Sequence, residues 1–167
     1  MKSSKKTTLA RELNISRGSL YYKRKRPNMD LYTNRIIGLT VLTNHSAQLT
    51  INALLSALNG NSRPVIFHSD NGREYDAKDF KTLLNNIGIQ ISRSKKGCPW
   101  ENGYQESFFD KFKVELGDPN RFETLGELIA NIYEVVYYYN HNRIHSRLKM
   151  SPVQFAIKQK LDTLIFK

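Results

Sequence analysis

One cysteine stands among the 167 residues, Cys98, which excludes an internal disulfide and any zinc site built from several cysteines. Long apolar runs are missing as well, and none approaches the length of a membrane span. The basic N-terminus, Met1-Lys2-Ser3-Ser4-Lys5-Lys6, is not followed by the hydrophobic stretch of a signal peptide. A cytoplasmic location and no membrane partner are the resulting expectations. Acidic side chains are few, 15 against 26 basic ones, for a net charge of +11. Much of that excess lies in residues 1–27, and a polyanion such as nucleic acid is the natural partner, because each phosphate neutralised releases counterions. Many basic proteins are merely soluble cations, so charge alone does not decide the matter. The length suits one ordinary domain and a small appendage.

The appendage is residues 1–27. Leu9, Leu13, Ile15 and Leu20 can meet in a small core, Ala10 is small where two helices approach, and Asn14 tolerates a left-handed turn. Ser16 suits the N-cap of a second helix. The pattern predicts a helix-turn-helix with Arg17, Ser19 and Tyr21 facing DNA; a plain helical hairpin is the rival. Lys23-Arg24-Lys25-Arg26-Pro27 follows as a linker or backbone-binding arm, since Pro27 ends the helix and four cations cannot be buried together.

After Pro27 strands and helices alternate. Arg35–Leu42 reads as a strand after a turn at Tyr32-Thr33-Asn34, and residues 46–59 as a helix burying Leu49, Leu54, Leu55 and Leu58. Val65-Ile66-Phe67 is a short buried strand, 77–87 a helix with Phe80, Leu83, Leu84 and Ile87 on one face, and 89–91 a further strand. A helix from Asn102 to about Leu116 turns Phe108, Phe109 and Phe112 inward. The last predicted helix, roughly 124–140, carries a stripe of Leu125, Leu128, Ile129, Ile132 and Val136. This alternation predicts an α/β fold around a mixed sheet.

Two acids stand out. Asp70 ends Val65-Ile66-Phe67-His68-Ser69-Asp70-Asn71-Gly72, where an apolar strand breaks into a turn, and Glu106 lies where a loop becomes a helix. Such a pair suits a divalent cation beside a phosphodiester, because hard cations prefer oxygen ligands. The bland readings are a common Asp-Asn-Gly turn and a solvated helix glutamate. His141 and His145 have the i, i+4 spacing of metal ligands, but no third ligand accompanies them, so zinc is not expected.

Three motifs in order give these acids a context. They are His68-Ser69-Asp70-Asn71-Gly72-Arg73-Glu74-Tyr75, the stretch from Pro99 to Phe109 extended through Lys113, and Tyr139-Asn140-His141-Asn142-Arg143-Ile144-His145-Ser146-Arg147-Leu148 with Ser151-Pro152. Together they resemble the integrase core of insertion-sequence transposases, of the retroviral-integrase superfamily. The resemblance implies a ribonuclease-H-like mixed sheet flanked by helices, and a three-carboxylate site for two Mg²⁺ or Mn²⁺ ions. These ions would activate a water or a DNA 3′-hydroxyl for attack on a phosphodiester. Asp70 would match the second acid and Glu106 the third. Lys113, two helical turns beyond Glu106 and on the same face, would contact transposon-end phosphates. Lys95 and Lys96 would hold DNA near the metals, Trp100 would anchor their loop, and Arg143 would be a further DNA contact. Arg143 and His145 can equally cap the last long helix.

The family's first acid, on the first strand of the core, has no match. Met29-Asp30-Leu31-Tyr32-Thr33-Asn34-Arg35-Ile36-Ile37-Gly38 resembles the hairpin that follows that strand, and Asp30 matches the hairpin, so the chain jumps from the N-terminal module past the first strand. The resemblance implies that this strand is central, so its loss leaves two strand edges unpaired. The expected organisation is a helix-turn-helix with a basic arm at 1–27, a truncated integrase core at 29–157 and a tail at 158–167. The expected function is that of an insertion-sequence transposase, DNA integration by metal-dependent strand cleavage and transfer, here impaired. The alternative is a non-catalytic DNA-binding regulator of a full-length transposase; a ribonuclease-H-like nuclease would need the same missing acid. Expected partners are transposon-end and target DNA, a second copy, or a full-length transposase, with the protein on the nucleoid when DNA-bound.

Overall fold

Gly38 sets how closely the first strand pair meets the first helix. A side chain there would come within 2.4 Å of the Ala53 carbonyl oxygen and 2.6 Å of the Ala57 methyl, so only glycine lets the two backbones approach this far. In the computed structural model, which describes residues 27–42 and 46–165, that strand is β2, Arg35–Gly38, paired antiparallel with β1, Asn28–Asp30. The helix is α1, Ala47–Leu58. It buries Leu49, Ala53, Leu54 and Ala57 and leaves Leu55 half-exposed, correcting the expected Leu55 contact: the small residues face the strand instead. The helix-turn-helix assigned to residues 1–27 lies outside the described residues, apart from Pro27.

Chain order continues with β3, Ile66–Ser69; α2, Arg73–Asp76; α3, Lys78–Asn86; and β4, Gln90–Arg93, which pairs parallel with β3. A 3₁₀ turn at Pro99–Asn102 leads into α4, Gly103–Leu116. Then comes α5, Leu125–His141, opened by a capping box in which the Thr124 hydroxyl accepts from the Glu127 amide and the Glu127 carboxylate from the Thr124 amide. Helix α6, Pro152–Ile165, runs through the position where a C-terminal tail was expected. Among the described residues no helix is long and apolar enough to cross a membrane.

The architecture is mixed α/β with helices flanking two separate two-stranded sheets, β1–β2 and β3–β4. Each sheet has its own core. Ile36 and Leu39 join Phe108, Phe112 and Leu116 of α4 and Leu128, Ile132, Val135, Val136 and Tyr139 of α5. Leu54, Phe80, Leu84 and Ile89 form the second, with Phe67 and Tyr75 packed edge-on against Phe80. Between the two sheets lies a cleft of about 1550 Å³, walled by β1 and β3.

The strand edges are treated unequally. On β2, the Asn140 side chain of α5 accepts from the Ile36 amide and donates to the Ile36 carbonyl, both at 2.9 Å, standing in for a neighbouring strand. Backbone direction alternates along a strand, so Met29, opposite Ile36, turns its amide and carbonyl away from β2. On β3, the Val65 and Ser69 carbonyls accept from Gln90 and Ser94, and by the same alternation Ile66 and His68 turn theirs away from β4. The edges of β1 and β3 that face away from their sheet partners carry no such side-chain cap among the described residues, and both strands border the same cleft.

Candidate functional site

Asp70 follows directly on β3, and the turn holding it is tied down from both sides. The Ser94 amide donates to the Ser69 carbonyl at 2.9 Å, and the Asn71 side chain donates to the Ser94 carbonyl at 2.7 Å. Asp70 itself accepts from the Gly72 amide at 2.9 Å. The His68 ring is hydrogen-bonded to the hydroxyls of Ser92 and Ser94, at 2.9 and 3.1 Å, which locks β3 to the end of β4. These contacts leave Asp70 half-buried on the cleft wall in a fixed backbone setting.

Glu106 sits in the first turn of α4, exposed, on the wall of the same cleft. A helix N-terminus favours a carboxylate there whatever its further role. Lys95 and Lys96 are exposed at the cleft's edge, in the loop from β4 to α4. The Glu101 carboxylate accepts from the Lys95 amide at 2.6 Å and fixes that loop. Trp100, expected as the loop's anchor, is 72% exposed; the Glu101 hydrogen bond serves instead.

The remaining candidates are dispersed. Lys113 lies further along α4, outside the cleft wall, 3.6 Å from Asp110. Arg143 forms an ion pair with Glu115 at 2.5 Å, joining the end of α5 to α4. Arg17 and Ser19 lie outside the described residues.

Two other carboxylates border the cleft, and both are committed. Asp30 accepts from the Tyr32 amide at 3.2 Å and the Thr33 hydroxyl at 2.5 Å, capping the β1–β2 turn. Glu101 holds the Lys95 loop. Among the described residues no group of three or more His, Cys, Asp and Glu side chains could hold a metal ion. Asp70 and Glu106 suit a mostly hydrated Mg²⁺ completed by phosphate oxygens. The residues present do not fit the three-carboxylate, two-metal group that the resemblance implies.

The third motif has a different task. Asn34, left-handed at φ 57° and 1% exposed, donates from its side-chain amide to His145 Nε2 at 3.3 Å and accepts from Arg147 at 3.1 Å. Arg147 also donates to the Leu31 and Tyr32 carbonyls, both at 3.4 Å. The motif is a clamp on the β1–β2 turn. Its sequence signal was an asparagine at a predicted turn, which does not say what holds it.

Comparison with known proteins places the chain. Residues 22–99 and 87–152 each match the family described as integrase core domain. A transposase-like protein of Haemophilus influenzae is 36% identical over 157 residues, 92% of this chain and 70% of that protein. The chain belongs to the insertion-sequence transposases with an integrase core. The transposase of insertion sequence element IS904 of Lactococcus lactis is 33% identical over 77% of this chain and 52% of its own length. The transposase InsF of insertion sequence IS3A of Escherichia coli is 34% identical over 78% and 46%. This transposase-family chain thus spans about half the length of most of the curated relatives it matches. Its fold is that of retroviral integrase cores. The magnesium-bound HTLV-2 integrase catalytic core superposes with a TM-score of 0.60 at 17% identity, over 76% of this chain and 80% of that one. The BIV integrase catalytic core gives 0.58 at 19%, over 75% and 80%.

Proposed function

We propose that this chain binds insertion-sequence DNA but does not cut or join strands alone. The observation that carries the reading is the pair of carboxylates, Asp70 and Glu106, lining one cleft together with Lys95 and Lys96, where the other bordering acids hold a turn and a loop. Two carboxylates and a phosphate oxygen suffice to tether one Mg²⁺ or Mn²⁺ ion near DNA. A two-metal clamp on attacking and leaving oxygens asks for more. The net charge of +11 and the basic segment 1–27, with Arg17 and Ser19 as its DNA-facing candidates, supply the non-specific affinity. Lys113 and Arg143 would extend the contact beyond the cleft. The expected setting is the cytoplasm, on the nucleoid.

The test has two arms on the full chain. Affinity for duplex DNA carrying the ends that flank the gene should fall linearly with salt on a log–log plot, and replacing Lys95 and Lys96 together by alanine should flatten the slope by about 2. Absence of binding at low salt would remove the DNA reading. In the second arm, Mg²⁺- or Mn²⁺-dependent cleavage of the same duplex should be undetectable, and robust turnover would show that two acids are enough.

A second reading, a regulator that enters mixed oligomers with a full-length transposase, is favoured by one observation: β1 and β3 border one cleft, and among the described residues neither has a second strand neighbour.

A further inference from the structure

We propose that the cleft between β1 and β3 is a strand-acceptor groove. It is completed by an extended segment of a second polypeptide that carries an acidic residue beside Asp70. The inference rests on backbone geometry and stands whether or not the chain binds DNA.

Hydrogen-bond accounting names the occupant. Met29 on one side, and Ile66 and His68 on the other, turn their amides and carbonyls away from their own sheet partners. Among the described residues no turn, loop or cap backbone hydrogen bond reaches these groups. An extended chain lying between them meets both edges at once, which neither a helix nor a small molecule does. The Asn28 side-chain nitrogen, buried and without a partner among the described residues, lies on β1 at the same cleft.

Size and lining agree. A six-residue strand, at about 3.3 Å per residue, 4.8 Å between strands and 10 Å of side-chain depth, occupies roughly 950 Å³. The cleft offers about 1550 Å³. Its walls supply Leu54, Leu58, Phe67, Phe109 and Ala156, which suit a segment with apolar side chains at alternate positions. Ile66, expected to be buried, is 54% exposed where it opens the parallel pairing, a state that a neighbouring strand would end. Beta-augmentation at one edge is a familiar recognition mode; here two edges act together.

The acid follows from the count of carboxylates. Asp70, directly after β3, and Glu106 both line the groove. An inserted aspartate at that level supplies the third oxygen donor that this chain's own residues do not bring. A divalent cation would then tie the segment to the groove, where three carboxylates alone would repel one another.

The test adds eight-residue peptides to the full chain and follows peptide anisotropy and amide hydrogen exchange. The panel places Val, Ile or Leu at alternate positions with Thr between, and Asp or Asn at the penultimate position. At saturation, exchange at the Met29, Ile66 and His68 amides should slow at least tenfold. Peptides N-methylated at alternate residues should bind at least tenfold more weakly. With Mg²⁺ present, the Asp peptides should bind at least tenfold more tightly than the Asn peptides. The proposal fails if no peptide in the panel protects these amides or if N-methylation changes nothing. It also fails if the amides are already protected in the free chain, which would mean that the chain or a second copy fills its own groove. Equal affinity of Asp and Asn peptides overturns the acidic requirement, and protection of the same amides by a short DNA duplex would assign the cleft to nucleic acid.

Discussion

The two halves of the molecule solve the same problem with unequal means. The β1–β2 half shares a core of ten buried side chains with α4 and α5, closes the outer edge of β2 with Asn140 and clamps its turn with Asn34, His145 and Arg147. The β3–β4 half has a core of four buried apolar residues, with the rings of Phe67 and Tyr75 edge-on against Phe80, and it holds the candidate acid Asp70. Helix α1 bridges them, packing on β2 through Ala53 and Ala57 while giving Leu54 to the second core. Stability is concentrated in one half and the better-fixed site residue in the other. Elements with few buried contacts open at lower free-energy cost, so the β3–β4 half should be the first to unfold.

Core truncations test this comparison with the largest effects. Phe80→Ala removes a ring that is 1% exposed and the hub of the small cluster, at a cost of about 3–5 kcal/mol. Ile132→Ala, at a position with no exposure in the large cluster, should cost about 2–5 kcal/mol. The expected difference lies in where the loss appears. Hydrogen exchange should show Phe80→Ala releasing the amides of α3 and β4 while α4 and α5 stay protected. Ile132→Ala should lower protection everywhere. Uniform loss in both variants would make the two halves one cooperative unit.

Most of this division could be read in the chain before the fold was known, and the unread part has a physical reason. Helices α1, α3, α4 and α5 begin and end within one or two residues of the positions that apolar periodicity predicts, because each buries one face. Leu55 misled, since a leucine at helical spacing suggests burial while Gly38 invites small residues instead. Helix α6 was not predicted at all, the last expected helix ending near residue 140. The two acids could be read from their motifs, and the structure sets them on one cleft. The clamp and the Asn140 cap join residues more than a hundred positions apart, which no local pattern reveals.

The contrast between capped and open edges is sharpened by Asn140→Ala. The variant leaves the amide and carbonyl of Ile36, a residue 5% exposed, without their partner. An orphaned buried polar group costs about 1–3 kcal/mol, and urea unfolding should register a loss of that size. If the loss is near zero, water satisfies β2 as readily as it does the open edges of β1 and β3, and the two kinds of edge are not different after all.

The smallest effect is the dependence of the clamp on pH. Burial holds the His145 pKa below its ordinary value of 6.5, and the nearby charges of Lys111, Arg147 and Arg143 push the same way. Geometry agrees, because Nε2 accepts from the Asn34 amide and a proton there would set donor against donor. The unfolded chain therefore binds a proton at this residue more readily than the folded one. Its contribution to stability is in place above about pH 6.5 and is lost as pH falls through that value towards the lower folded pKa. Melting temperature should drop between pH 7.5 and 5.5, and His145→Gln, which keeps an acceptor for Asn34 but no titrating ring, should flatten that part of the curve. The gain should appear as renewed protection of the β1–β2 turn at low pH. An unchanged pH profile in the variant would place the acid sensitivity elsewhere and leave the clamp's strength independent of its histidine.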